Sequence, residues 1–98
     1  MVNFMRLIGA LLLAEFAERH PDARQDVEAW RLEVQAANWS NPHELKARYP
    51  KATIVGGRDV VFNIRHNRFR LHVTVDYQSG SVIVRRVGTH AEYDRWTF

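Results

Sequence analysis

Near the C-terminus the chain reads Thr89-His90-Ala91-Glu92-Tyr93-Asp94, four ionisable side chains within six residues. Imidazole exchanges protons near neutral pH, a phenol donates a hydrogen bond or a proton, and a carboxylate can orient either. Upstream, Asn63 and Arg65 share one face of an alternating segment, and Arg70 and His72 share one face of the next. Aligned registers would gather two guanidiniums, an amide and an imidazole into one concavity, with His90 and Tyr93 at its rim. That set suits cleavage of RNA without a metal. A base removes the 2′-OH proton, an acid protonates the departing 5′-oxygen, and arginine offsets the charge that builds on phosphate.

Plainer readings stand beside this one. The Thr89–Asp94 stretch also reads as a polar helix cap, with Glu92 and Asp94 as first-turn acids, and Asp94 suits orienting a neighbour better than meeting an anionic substrate. Arg65, Arg68 and Arg70 also fit an ordinary solvated strand face. His66 and His72 read as structural, and His20 and His43 as helix-boundary residues. His90, Glu92 and His72 together offer three metal ligands, but the surrounding arginines oppose a divalent cation and no H-x-x-x-H spacing occurs. The expectation is no metal and no cofactor.

The elements that must hold these residues follow from periodicity. Met5–Gly9 reads as a short strand and Ala10–His20 as a helix that Pro21 ends, with Leu11, Leu12, Glu15 and Phe16 on an apolar face with a charged flank. Pro21-Asp22-Ala23 restarts a helix running to Ala37, with Val27, Trp30, Leu32 and Val34 at roughly helical spacing. Asn41-Pro42 opens a short helix that stops before Pro50. Thr53–Asp59, with Gly56-Gly57, reads as a turn. Three β-rich segments follow at Val60–Ile64, Phe69–Tyr77 and Val82–Val87, joined by short turns. In the second, Phe69, Leu71, Val73, Val75 and Tyr77 face the helices, while Arg70, His72, Thr74 and Asp76 form an open polar face. The expected class is α+β, helices packed on one face of a twisted antiparallel sheet. Trp30 and Trp39 belong to the core, and Trp96 covers the sheet edge or meets a partner.

The chain's 98 residues suffice for one domain with one modest core. Residues 1–49 hold six Lys/Arg against seven Asp/Glu, and residues 50–98 hold eight against four, so the halves carry −1 and +4. Twelve of the fourteen cations are arginine, whose planar fork suits phosphate. With no cysteine, disulfides and thiolate metal sites are excluded. The apolar run Leu7–Ala14 falls far short of the ~20 residues that span a bilayer. Glu15, Glu18 and Arg19 follow it without an A-x-A-like site, so it reads as strand and helix core rather than a leader. No membrane partner is expected, and the place of action is the cytoplasm.

Over about Arg6 to Asp94 the chain resembles the HigB family of bacterial toxins, within the RelE/ParE-like superfamily. The resemblance rests on Phe16 with His20-Pro21-Asp22-Ala23, on Trp30, Trp39 and Pro42, and on Val60-Val61-Phe62-Asn63-Ile64, Arg70-Leu71 and Val87-Gly88-Thr89-His90-Ala91-Glu92-Tyr93-Asp94. It implies an endoribonuclease, a metal-independent mRNA interferase that cuts mRNA in the ribosomal A site, touching mRNA and rRNA. It also implies a HigA-type helix-turn-helix antitoxin, through which alone the toxin would associate with DNA. On this reading His90 leads proton transfer, Arg70 clamps phosphate, Tyr93 acts as a second acid or stacks on a base, and Glu92 orients His90. Asn63, Arg65, Arg68 and Arg85 would contact RNA. Two departures stand out: His66 and Phe69 occupy places where the family's turn carries Gly and Tyr, and Arg86 sits where an aromatic or apolar residue is common. ParE-like members share the fold but inhibit DNA gyrase by binding, so a protein-binding toxin, or a degenerate one that only meets its antitoxin, remains the alternative.

Overall fold

Side-chain alternation in the C-terminal half sets the architecture. The computed structural model describes residues 4–98; residues 1–3, where the question of a leader begins, lie outside the described residues. The elements are β1 (Arg6–Ile8), α1 (Ala10–Arg19), a 3-10 turn (Pro21–Ala23), α2 (Arg24–Ala36), α3 (Pro42–Arg48), β2 (Thr53–Val55), β3 (Asp59–Ile64), β4 (Phe69–Asp76), β5 (Ser81–Thr89) and α4 (His90–Tyr93). They build one five-stranded sheet in the order β1-β5-β4-β3-β2. β2 to β5 pair antiparallel, whereas β1 lies parallel to β5. The α+β class is as expected, with two additions. The parallel edge strand was not foreseen, and Thr53–Val55, expected within a turn, is a strand paired with β3.

One face of the sheet carries the core. Val60, Phe62 and Ile64 of β3, Phe69, Leu71, Val73 and Val75 of β4, and Val82 and Val84 of β5 pack against Leu13 and Phe16 of α1, Val27, Trp30 and Val34 of α2, and Leu45 of α3. Phe16 meets Phe69 edge-on at 5.2 Å, and Trp30 meets Phe62 at 5.3 Å. Among the described residues no helix is long and apolar enough to cross a membrane.

Local chemistry explains where the helices start. Gly9 precedes α1 at φ 89°, and a Cβ there would stand 3.1 Å from the Val84 carbonyl oxygen, so this turn needs glycine for both conformation and space. Asn41 caps α3, its Oδ1 accepting the Glu44 N–H at 2.9 Å, with Pro42 in the first turn.

A β-bulge breaks the alternation of β5. His72 pairs with Arg86 and Val73 with Val84, leaving Arg85 without an opposite residue. Strict alternation would send Arg85 and Arg86 to opposite faces. Instead Arg85 Nε donates to Thr74 Oγ1 at 2.9 Å and Arg86 Nε donates to His72 Nδ1 at 3.0 Å, both acceptors lying on the polar face. The bulge thus adds a second cation to that face.

Candidate functional site

The polar face is organised in rows across β3, β4 and β5. Asn63, Arg70 and Gly88 form one row, and Val61, His72 and Arg86 the next. The expectation of an open face needs correction, because Arg70 is only 8% exposed and His72 only 7%. The chain's own end covers them. Tyr93 lies under the Arg70 guanidinium at 5.1 Å, and His72 packs against Trp96 and Phe98 at 6.3 and 4.8 Å. Aromatic surface that water would otherwise meet is buried on the face expected to be bare.

Arg70 is the most unusual group in the row. Its guanidinium donates to the Asn67 carbonyl at 2.8 Å, to Asn67 Oδ1 at 2.5 Å and, weakly, to the Phe69 carbonyl at 3.4 Å. No carboxylate pairs with it among the described residues. A largely buried cation satisfied only by neutral oxygens and a ring face keeps an uncompensated charge. Three of the guanidinium's five N–H donors are used, which leaves two for an anion. Asn67 was not among the expected residues, although a turn asparagine two to three residues before an arginine is the signal that could have found it.

β5 runs directly into α4, and this delivers the Thr89–Asp94 cluster to the same corner. The His90 N–H donates to the Arg68 carbonyl at 3.0 Å, tying α4 to the β3–β4 turn. His90 itself is exposed. The carboxylate beside it is Asp94, whose Oδ2 stands 3.5 Å from His90 Nδ1. Glu92, expected to orient His90, does something else. It accepts the Thr89 N–H at 2.8 Å while Thr89 Oγ1 accepts the Glu92 N–H at 3.1 Å, a reciprocal capping box. That backbone N–H, first among several causes, holds the Glu92 carboxyl below the ordinary glutamate range. The plain reading of Glu92 as a cap is therefore what the structure holds.

The turn arginines also differ from expectation. Arg65 does not continue the strand face of Asn63; it sits in the turn at φ 50°, followed by His66 at φ 59°. Its guanidinium donates to the Asp22 carbonyl at 3.1 Å. Arg68 pairs with the Asp22 carboxylate at 3.3 Å and lies over the Phe69 ring. Both point toward the start of the helical layer and staple the turn there, away from the Asn63–Arg70 row. β3 ends at Ile64, the expected end of its β-rich segment, so Arg65 falls in the turn and the face shared by Asn63 does not extend to it. Asn63 borders a cleft of about 630 Å³ that Tyr49, Lys51, His66 and Asn67 also line.

The second row holds a network that the sequence did not announce. His72 Nε2 lies 2.8 Å from Asp59 Oδ1, and Arg86, which can only donate, bonds His72 Nδ1. The ring proton is therefore on Nε2 and points at Asp59, whose carboxyl is held below the ordinary aspartate range chiefly by that bond. His72 is thereby committed to structure. Among the described residues no three His, Asp or Glu side chains converge on a point where a metal could sit.

A buried unpaired arginine, a tyrosine upon it, and a histidine with an aspartate at the same corner are thus assembled by β3, β4, β5 and α4. A profile of the HigB toxin family, described as the RelE-like toxic component of a toxin-antitoxin system, matches residues 23–96. This chain belongs to the HigB toxin family. Its relatives include the mRNA interferase toxin HigB of Escherichia coli K12, 30% identical over 95 residues that cover 95% of this chain and 91% of that protein. The proteins named mRNA interferase HigB in Escherichia coli O157:H7 and Shigella flexneri match to the same extent. The segment that matches the HigB profile contains Asn63, Arg70, His90 and Tyr93.

Proposed function

We propose that this chain is the toxin of a toxin-antitoxin pair and an mRNA interferase, an endoribonuclease whose site is the Arg70–Tyr93–His90 corner. The observation that carries the reading is Arg70: a cation 8% exposed, without a carboxylate partner among the described residues, that retains two free N–H donors. A phosphodiester supplies the missing negative charge, in the forked geometry that guanidinium prefers. Membership of the HigB family and relatives named mRNA interferase support RNA as the source of that phosphate.

In this mechanism the 2′-OH adjacent to the scissile phosphate attacks phosphorus. Its proton leaves to a base, the bond to the 5′-oxygen breaks, and an acid protonates that oxygen, giving a 2′,3′-cyclic phosphate and a 5′-hydroxyl end. Arg70 stabilises the phosphorane by charge. His90, exposed at the corner and steadied by Asp94, leads the proton transfers. Tyr93 serves as the second proton donor or as a stacking surface. Asn63 and the cleft beside it receive the neighbouring nucleotides, and Arg85 on the same face attracts the backbone. No metal is required. The reaction takes place on mRNA in the A site of cytoplasmic ribosomes, and a HigA-type helix-turn-helix antitoxin holds it off.

Expression of the wild type and of His90→Ala in cells, with mRNA 5′-end mapping and colony counts, tests this reading. The wild type should arrest growth and create new internal 5′ ends; His90→Ala should do neither. Growth arrest with intact mRNA would sink the nuclease reading in favour of a protein-binding toxin. Equal toxicity of the two proteins would sink the assignment to His90.

A further inference from the structure

The bulge in β5 leaves Arg86 with more partners than any other arginine on the polar face. Its guanidinium carbon stands 4.6 Å from the Trp96 ring centre and 5.0 Å from that of Phe98. Its NH2 donates to the Thr97 carbonyl at 2.9 Å, and its Nε to His72 Nδ1 at 3.0 Å. His72 is anchored in turn on Asp59 at 2.8 Å, and Thr74 Oγ1 donates to the same Asp59 oxygen at 3.2 Å. One planar cation therefore grips three consecutive residues of the chain's end and fastens them to β4 and β3.

What it grips matters because of where Trp96 sits. The Trp96 ring meets Tyr93 edge-on at 5.5 Å, and Tyr93 lies beneath Arg70 at 5.1 Å. Trp96 also fits against Gly88, the residue opposite Arg70 in the row, where a Cβ would come within 3.2 Å of its Cζ2. A Cβ at 88 would require Glu92 and Trp96 to give by a few tenths of an ångström, so both rest closely on the sheet there. α4 has only four residues and no buried side chain, so it has little packing of its own to fix Tyr93.

We infer that Arg86 is a positioning residue: it clamps Trp96–Phe98 onto the polar face and, through Trp96, sets Tyr93 over Arg70. It touches no reacting atom in this arrangement. The inference rests on the RNA-cleaving reading of the Arg70 corner and adds what holds that corner in register. Tyr93 covers Arg70, so its placement decides both the second proton donor's aim and the approach of phosphate to the free N–H groups. A displacement of about 1 Å at such a centre costs up to about a hundredfold in rate.

The test compares Arg86→Leu, Arg86→Lys, Trp96→Ala and the Arg86→Leu/Trp96→Ala pair. Each is assayed for kcat and KM on ribosome-bound mRNA, for thermal unfolding, and for the NMR resonances of the Trp96 indole and the Tyr93 ring. Arg86→Leu should lower kcat by about tenfold or more with KM within about twofold, and should shift both sets of resonances. Arg86→Lys, which keeps charge but not the planar fork, should recover only part of the rate. The double variant should be no slower than the worse single one, because both changes break the same contact. A raised KM with unchanged kcat and unmoved resonances would overturn the inference and make Arg86 an RNA contact. Unchanged kinetics with unmoved resonances would overturn it as well. If the wild type cleaves no mRNA, the nuclease reading fails, and the resonances alone decide the clamp: shifted in Arg86→Leu, it stands; unmoved, it falls.

Discussion

The two faces of the sheet are made by the same three strands and obey different chemistry. On the helical face, Val60, Phe62, Leu71, Val73 and Val82 disappear into a core whose partners come from three helices. On the other face, Asp59, His72, Thr74, Arg85 and Arg86 are joined by hydrogen bonds, Arg70 bonds the Asn67 turn, and α4 and three residues of the chain's end lie over them. The first face gains stability from removing apolar area from water, without regard to direction. The second gains less, because each contact there exchanges a hydrogen bond to water for one to protein. It gains orientation instead. A stable face thereby carries an adjustable one, and Arg70, a buried cation with no carboxylate partner among the described residues, lies on the adjustable side.

The contrast is broken most severely from the helical side. Phe16, 1% exposed and edge-on to Phe69, should cost about 3–5 kcal/mol when changed to alanine, read as a fall in the unfolding midpoint. That loss should carry the polar face down with it, since β4 supplies both. A substitution of comparable size on the polar face should leave the unfolding transition nearly in place.

A smaller effect sharpens the comparison at the β3–β4 turn. His66 holds φ 59°, a conformation that costs a side-chain-bearing residue about 1–2 kcal/mol and that glycine adopts freely. Glycine loses about 0.5–1 kcal/mol more backbone freedom on folding, which offsets part of that relief, so His66→Gly should stabilise the protein by the remainder, about 0.5–1 kcal/mol, a rise of a few degrees in a thermal melt. A fall in the midpoint would show that the His66 side chain contributes more than its backbone costs.

The smallest effect concerns acid. The folded Glu92 carboxyl lies below the ordinary glutamate range because the Thr89 N–H bonds its charged form. Its contribution to α4 is therefore fully present above that ordinary range and is lost as pH falls through the lowered folded value. The Asp59 carboxyl, bonded to His72, behaves with the same sign. Amide exchange at Glu92 and Tyr93 should accelerate in acid before the β4 amides do. Simultaneous acceleration would mean that the polar covering is not separable from the core.

These two faces also differ in how plainly the sequence displays them. The helical face is local: residues two apart in strands and three or four apart in helices disclose it, and the core contains Phe69, Leu71, Val73, Phe16 and Trp30 as that spacing requires, whereas Leu11, Leu12 and Leu32, expected on the apolar helix faces, are exposed because those helices meet the sheet along a narrower stripe. The polar face depends on register and on the chain's end. Arg70 and the Thr89–Asp94 cluster are visible as residue types, but Arg65, expected on the strand face of Asn63, lies in the turn beyond β3. Asp94 rather than Glu92 stands beside His90, which spacing of four on a helix explains once α4 is known. The bulge that turns Arg85 and Arg86 to one side leaves only a faint mark, valines at 82 and 84 and then at 87. Trp96 is expected to cover the sheet edge or meet a partner, but nothing local marks it and Phe98 as the covering of this face, because that contact joins segments whose approach only the folded sheet creates.

The proposed division of labour is that the buried cation Arg70 on the polar face does the chemistry while the helical face does the folding. Cleavage of ribosome-bound mRNA by purified wild type and Arg70→Ala, with thermal unfolding of the same preparations, tests it most directly. The expected result is a rate lower by about a hundredfold to a thousandfold in Arg70→Ala, with an intact cooperative unfolding transition. Undiminished cleavage by a folded Arg70→Ala protein would contradict it.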